Sequence, residues 1–231
     1  MKDFEAIYLA EGRYHHNLAG FPLWWTRENY RILSGWVETG ELVLDLACGD
    51  GGFWPFVQGA EIVGADHAPT ALKLAREAGR NSLVQADMSA IPFKTGSFDA
   101  VACSLSLQYL PPDELGGCLS EVVRILRENG RFLFSYPNVR RDDRADPAHA
   151  AVPLESLEKE LERAGLRRLA VRSISPRLPA RLFRWSFKPG LKLISYFYYR
   201  AARAIGRKAS RAYHYAVLCA SPGFGPKGDI S

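Results

Sequence analysis

No stretch of about 20 uncharged apolar residues occurs in the chain, so nothing in it reads as a transmembrane helix. An apolar signal-peptide core is also missing: Met1-Lys2-Asp3-Phe4-Glu5 mixes charges and leads into a polar, aromatic stretch, so export is not expected. Cysteine is sparse. Cys48, Cys103, Cys118 and Cys219 lie far apart with no C-x-x-C pair, which argues against zinc or dithiol chemistry and suits reduced thiols in the cytoplasm. Internal repeats and low-complexity tracts are absent. So are acids between Arg177 and Arg211, where ten Lys/Arg stand without one Asp or Glu. Subtracting those ten from the overall charge of +5 leaves the rest of the chain at −5, so the basic character is local. A globally basic surface would have suggested a nucleic-acid protein, whereas one basic segment on an acidic body suggests a specialised contact.

What is present fits one α/β domain, because 231 residues support a sizeable core but not two domains of ordinary size. Short apolar runs alternate with helical patterns from Leu42 to Tyr136, the signature of βαβ units and a parallel sheet. Strands are expected at Glu41–Leu46, Glu61–Asp66, Ser82–Ala86, Phe98–Cys103 and Arg131–Tyr136. Helices are expected at Phe53–Gln58, Thr70–Ala78 and Asp113–Leu126, the last stopped by Asn129-Gly130. A helix at Leu154–Ala164 and strands at Arg168–Ile174 and Tyr213–Ala220 complete the pattern.

The first strand runs into Gly49-x-Gly51, where glycine permits close backbone approach to a ligand and unusual φ angles. The dinucleotide pattern G-x-G-x-x-G needs a third glycine at position 54, and Trp54 stands there, which disfavours an NAD-dependent oxidoreductase. Acids close successive strands: Asp45, Asp66 and Asp87. The carboxyl ends of strands in an open parallel sheet line one crevice, so these side chains should converge, with Asp66 spaced to hydrogen-bond a ribose diol. Asp45 has a second reading, as a cap for the amides of the turn.

Val43-Leu44-Asp45-Leu46-Ala47-Cys48-Gly49-Asp50-Gly51 resembles the first motif of the S-adenosylmethionine-dependent class I methyltransferases, D-x-G/A-C-G-x-G after an apolar strand. Four more stretches resemble later motifs in the same order: Val63-Gly64-Ala65-Asp66, Gln85-Ala86-Asp87-Met88 with Ile91-Pro92-Phe93, Phe98-Asp99-Ala100-Val101, and Leu126-Arg127-Glu128-Asn129-Gly130-Arg131-Phe132. The family has Pro-Gly-Gly where this chain has Glu128-Asn129-Gly130, and Asn and Gly still form a turn. The resemblance implies a Rossmann-like, seven-stranded, mostly parallel sheet with helices on both faces and the last strand antiparallel, to which apolar spacing adds a helical insertion between the last two strands. It implies S-adenosylmethionine as cofactor, with Gly49 and Gly51 at its methionine part, Asp66 on the ribose and His67 against the adenine. Asp87 would accept from the adenine amino group beside the Met88 backbone, and Ser104 would lie near the cofactor's amino group. Residues 1–40 would form a helical cap over the cofactor, from which Tyr14 and Arg27 could reach the methionine carboxylate, on a methyltransferase domain spanning 41–231.

The adjacent His15 and His16 are better read as part of an aromatic packing face than as a metal site, which would need a third ligand; no metal is expected. An activated sulfonium asks the protein chiefly to exclude water and align an acceptor, so no obligatory triad follows. Tyr109, just past the fourth strand, and His149, in the loop after the fifth, are the candidates for positioning the acceptor or taking its proton. Nucleic-acid base methylation is disfavoured, because Ser104-Leu105-Ser106-Leu107 replaces the Asn/Asp-Pro-Pro-Tyr/Phe motif of enzymes acting on base amino groups. A small-molecule or lipid-like acceptor is favoured, with an RNA or tRNA methyltransferase, an NAD-dependent oxidoreductase and a non-catalytic methyltransferase-like binding protein as alternatives. Between Pro176 and Ala212, Leu191, Ile194, Tyr198, Ala202 and Ile205 recur at helical spacing, with Lys192, Arg200, Arg203 and Arg207 largely on another face. Aromatics beside those cations suit the surface of an anionic membrane, so peripheral contact at its inner face is expected, against a plain helical cap or an RNA contact.

Overall fold

The computed structural model describes residues 4–11, 21–137, 153–176 and 212–223. Tyr14, His149 and residues 177–211 of the basic insertion therefore lie outside the described residues. Seven strands form one sheet: β1 (Leu42–Leu46), β2 (Glu61–Asp66), β3 (Leu83–Gln85), β4 (Phe98–Ser104), β5 (Leu126–Pro137), β6 (Arg167–Pro176) and β7 (Ala212–Ala220), in the spatial order 3-2-1-4-5-7-6. Strands 1 to 5 pair in parallel, and β7 runs antiparallel between β5 and β6. The expected seven-stranded sheet with an antiparallel last strand is what the chain forms.

Both faces of the sheet are covered, and the strands show it in their composition. Val43, Ala100, Ala102, Leu133, Ala216 and Leu218 point to one face, where Tyr30, Ile32 and Leu33 of α2 (Phe21–Ser34) pack. Leu44, Leu46, Val101, Cys103, Phe132 and Phe134 point to the other, against Leu115, Leu119 and Val122 of α4 (Pro112–Ile125) and Leu157 and Leu161 of α5 (Leu154–Arg163). Strands buried on both faces cannot alternate polar with apolar residues, which explains the continuous apolar runs of β4 and β5. All four cysteines are buried and free.

The N-terminal segment makes two helices. α1 (Phe4–Glu11) packs on α3 (Pro69–Glu77) through Tyr8, which meets Ala68 and Ala71. No side chain from Ala68 caps α3; Glu5 of α1 does so instead, accepting from the Thr70 amide at 3.0 Å and from the Thr70 hydroxyl.

The helix expected at Phe53–Gln58 is corrected to a single 3-10 turn, Trp54–Phe56. Pro55 contributes no N–H, and Val57 is already extended at φ −92° and ψ 126°. The helix before β5 ends at Ile125, and pairing starts at once, Leu126 against Phe98, before the register shifts and Arg131 meets Ala100. The Asn129-Gly130 turn falls inside β5, with Asn129 at φ 64°.

Candidate functional site

The glycine turn after β1 is built on left-handed backbone. Ala47, Gly49 and Gly51 have φ of 58°, 56° and 75°. At Gly51 a side chain is excluded twice over, since a Cβ would also stand 2.9 Å from the Arg80 Cγ, whose guanidinium lies 5.7 Å over the Trp54 ring.

Asp66 at the end of β2 ties this turn to the next strand. One carboxylate oxygen accepts from the Gly49 amide at 2.7 Å and the other from the Ala68 amide at 2.9 Å. Burial raises its pKa above the ordinary value, opposed by those two hydrogen bonds. Asp45, central in the sheet, accepts from the Trp54 indole N–H at 3.0 Å. It is 1% exposed, and burial pushes its pKa up to about 8, against the Trp54 hydrogen bond and with help from the charges of Asp66 and Asp50. Position 54, where a dinucleotide site would carry glycine, thus holds the partner of the strand-1 acid. Gly64 makes room for it: a Cβ there would come within 3.0 Å of the Trp54 ring and 2.9 Å of the Cys48 sulfur.

The third acid is separate from this pair. Asp87 is exposed and accepts from the Ser89 amide at 2.8 Å and hydroxyl at 2.6 Å, which together hold its pKa below the usual value. His67 is exposed, and its carbonyl accepts from Gln85 at 3.1 Å; Met88 is half-buried. The loop that carries Asp87 and Met88 is clamped from α4. Arg124 donates to the carbonyls of Ile91 and Phe93 at 2.8 and 2.6 Å, and Glu121 accepts from the Ile91 amide at 3.0 Å.

Ser104 closes β4, half-buried, and its hydroxyl oxygen accepts from the Asn29 amide nitrogen at 2.7 Å. Tyr109, half-buried, follows in a 3-10 turn, Leu107–Tyr109, whose other two residues are buried, while Arg27 on α2 is exposed. The structure therefore brings Asp45, Gly49, Gly51 and Asp66 together, places Asp87 and Met88 on a neighbouring loop, and sets Ser104 at the end of β4 with Tyr109 beyond it. Sequence reasoning missed Asn29, Trp54, Gln108 and Arg124. Gln108 alone carried a local signal, an amide inside the apolar run that follows β4.

Residues 44–134 match the family described as the methyltransferase domain. The chain has the class I methyltransferase fold. Its methyltransferase segment is 35% identical over 100 residues to the demethylmenaquinone methyltransferase of Thermus thermophilus, covering 39% of this chain and 44% of that one. It is 32% identical over 130 residues to the ubiquinone biosynthesis O-methyltransferase of Bordetella parapertussis, covering 52% and 49%. The chain thus spans about half, or less, of the length of these curated relatives. A phosphoethanolamine N-methyltransferase of Haemonchus contortus, solved with S-adenosyl-L-methionine, superposes with a TM-score of 0.62 at 18% identity, covering 85% of this chain and 52% of that one.

Proposed function

We propose that this protein is a methyltransferase that uses S-adenosylmethionine and acts on a small, largely apolar acceptor. The observation that carries the reading is the set of carboxylates around the glycine turn. Asp45, Asp50 and Asp66 surround it, the first two nearly inaccessible, and the charges of Asp66 and Asp50 both raise the Asp45 pKa. Asp45 holds its proton below about pH 8, so the negative charge rests on Asp50 and Asp66, and it suits a cation and repels an anion. S-adenosylmethionine brings a sulfonium and an ammonium, whereas NAD brings a pyrophosphate that needs a helix N-terminus after the glycine turn, and here only a three-residue 3-10 turn follows.

Within this reading Asp66 accepts from the ribose hydroxyls with lone pairs left over from Gly49 and Ala68. The glycine turn admits the methionine part, and Asp87 with the Met88 amide faces the adenine. The cofactor supplies an activated methyl group, so the chain's own residues exclude water and hold the acceptor in line. Tyr109, in the turn beyond β4, is read as a group that positions the acceptor or takes its proton. The names of the two curated relatives, concerned with menaquinone and ubiquinone, support an apolar acceptor. The cations of 177–211 support delivery from an anionic membrane surface.

Calorimetric titration with S-adenosylhomocysteine and with NAD tests the cofactor. Binding of the former and not the latter is expected, and Asp66→Ala should weaken it by about 1.5–3 kcal/mol, the value of hydrogen bonds to a charged group. Wild-type affinity in a folded Asp66→Ala protein overturns the ribose assignment. Turnover with labelled cofactor separates an enzyme from a methyltransferase-like binding protein.

A further inference from the structure

On the α2 side of the sheet, the carboxyl end of β4 carries a polar unit of which the cofactor reading uses only Ser104. Asp45 of β1 pairs with Ala102 of β4, so Ser104 and the residues after it extend β4 just beyond the level of the glycine turn. Here Leu105 takes φ 54°, a left-handed conformation costly for a leucine. Its amide donates to the Ser135 hydroxyl at 3.0 Å, and its carbonyl accepts from the Gln108 side-chain nitrogen at 2.7 Å. Asn29 of α2 closes the unit through Ser104.

Two oxygens in this unit have no partner among the described residues. Gln108 is 3% exposed and Asn29 0%, and Gln108 Oε1 and Asn29 Oδ1 are each sealed from solvent without a donor. The Gln108 assignment is fixed by chemistry: the Leu105 carbonyl can only accept, so the nitrogen must face it and the oxygen must face away. A buried amide oxygen without a donor is unfavourable by about 1–3 kcal/mol, and backbone strain beside it is the company such sites keep.

We infer that Gln108, supported by Asn29, reads a hydroxyl group on the methyl acceptor, and that this contact selects hydroxyl-bearing substrates. The inference rests on the methyltransferase reading above. Gln108 Oε1 accepts the acceptor's O–H, and Asn29, through its hydrogen bond to Ser104, holds the end of β4 from which the turn of Leu105 and Gln108 starts. The group is a specificity-determining one and takes no part in activating the methyl.

The test is calorimetric titration of the S-adenosylhomocysteine-saturated full chain with two alcohols, 2-naphthol and geraniol, and with their methyl ethers. The wild type should bind at least one alcohol about tenfold more tightly than its ether, the discrimination of one lost hydrogen bond. Gln108→Leu should reduce that ratio to about twofold or less with S-adenosylhomocysteine affinity unchanged, and Gln108→Glu, which as the protonated acid still donates to the Leu105 carbonyl and keeps an accepting oxygen, should retain most of it. Should Gln108→Leu fail to fold by circular dichroism, Gln108→Met, close to glutamine in shape and without the accepting oxygen, is read in its place. Equal binding of alcohols and ethers, binding of neither, an undiminished ratio in Gln108→Leu, or a parallel loss of cofactor-product affinity overturns the inference. Failure of the wild type to bind S-adenosylhomocysteine instead removes the methyltransferase reading beneath it.

Discussion

Asp45 shows how a residue can be predicted in place and missed in role. Its position at the end of the first strand was legible from the motif, but its partner was not, because Trp54 registered only as a missing glycine. The indole hydrogen bond leaves a carboxyl buried among acids, and this has a signed consequence for stability. With the folded pKa pushed to about 8 from an ordinary 3.8, the folded protein holds a proton that the unfolded chain releases across that window. The contribution is full below about pH 4 and is lost as pH rises towards 8, at up to about 1.4 kcal/mol per pH unit. Asp45→Asn keeps an acceptor for Trp54 and removes the titration, so its urea-derived stability should depend less on pH between 5 and 8 than that of the wild type. Parallel pH profiles for the two proteins would rule Asp45 out as the source. Asp66 was legible in place but not in the partners it has here, because the capping of turn amides is expected of Asp45 and falls to Asp66 instead, which accepts from Gly49 and Ala68.

Among the elements, the strands were readable and the connections were not. β1, β2, β4 and β5 declare themselves by apolar runs that only a doubly covered sheet can bury. The 3-10 turn at Trp54–Phe56 was hidden, since helical spacing over six residues cannot reveal that a proline and a side-chain hydrogen bond to Asp45 will stop it. The clamp from α4 was equally invisible, for Glu121 and Arg124 read as an ordinary i,i+3 surface pair. In the fold they hold the loop of Asp87 and Met88, which makes Arg124 a positioning residue. Arg124→Ala should cost about 1–2 kcal/mol of stability. It should also speed amide exchange at Ala90, Ile91 and Phe93 above that of β4, with weaker binding of S-adenosylhomocysteine. Uniformly faster exchange throughout the sheet would mean a general loss of stability rather than release of this loop.

For the whole molecule, charge and strand order matter most. No helix among the described residues is long and apolar enough to cross a membrane. The excess of ten cations over 177–211 nevertheless predicts binding to vesicles containing phosphatidylserine, weakening as salt rises, with up to about 1 kcal/mol from each cation near the surface. Sedimentation with neutral and anionic vesicles checks this, and equal partitioning, or no change after Lys192, Arg200, Arg203 and Arg207 are replaced by Gln, would leave the segment without a membrane role. Sequence pattern was enough to foresee an antiparallel last strand only through family resemblance, because no local signal in Ala212–Ala220 tells a strand which neighbours to join. Its seat between β5 and β6 has a consequence for synthesis. While a ribosome is still making the basic segment, β5 has an open edge and β6 has no neighbour at all, so nascent chains carry exposed strand surface that invites pairing with other chains. Completion of the sheet waits for the final strand to slot in.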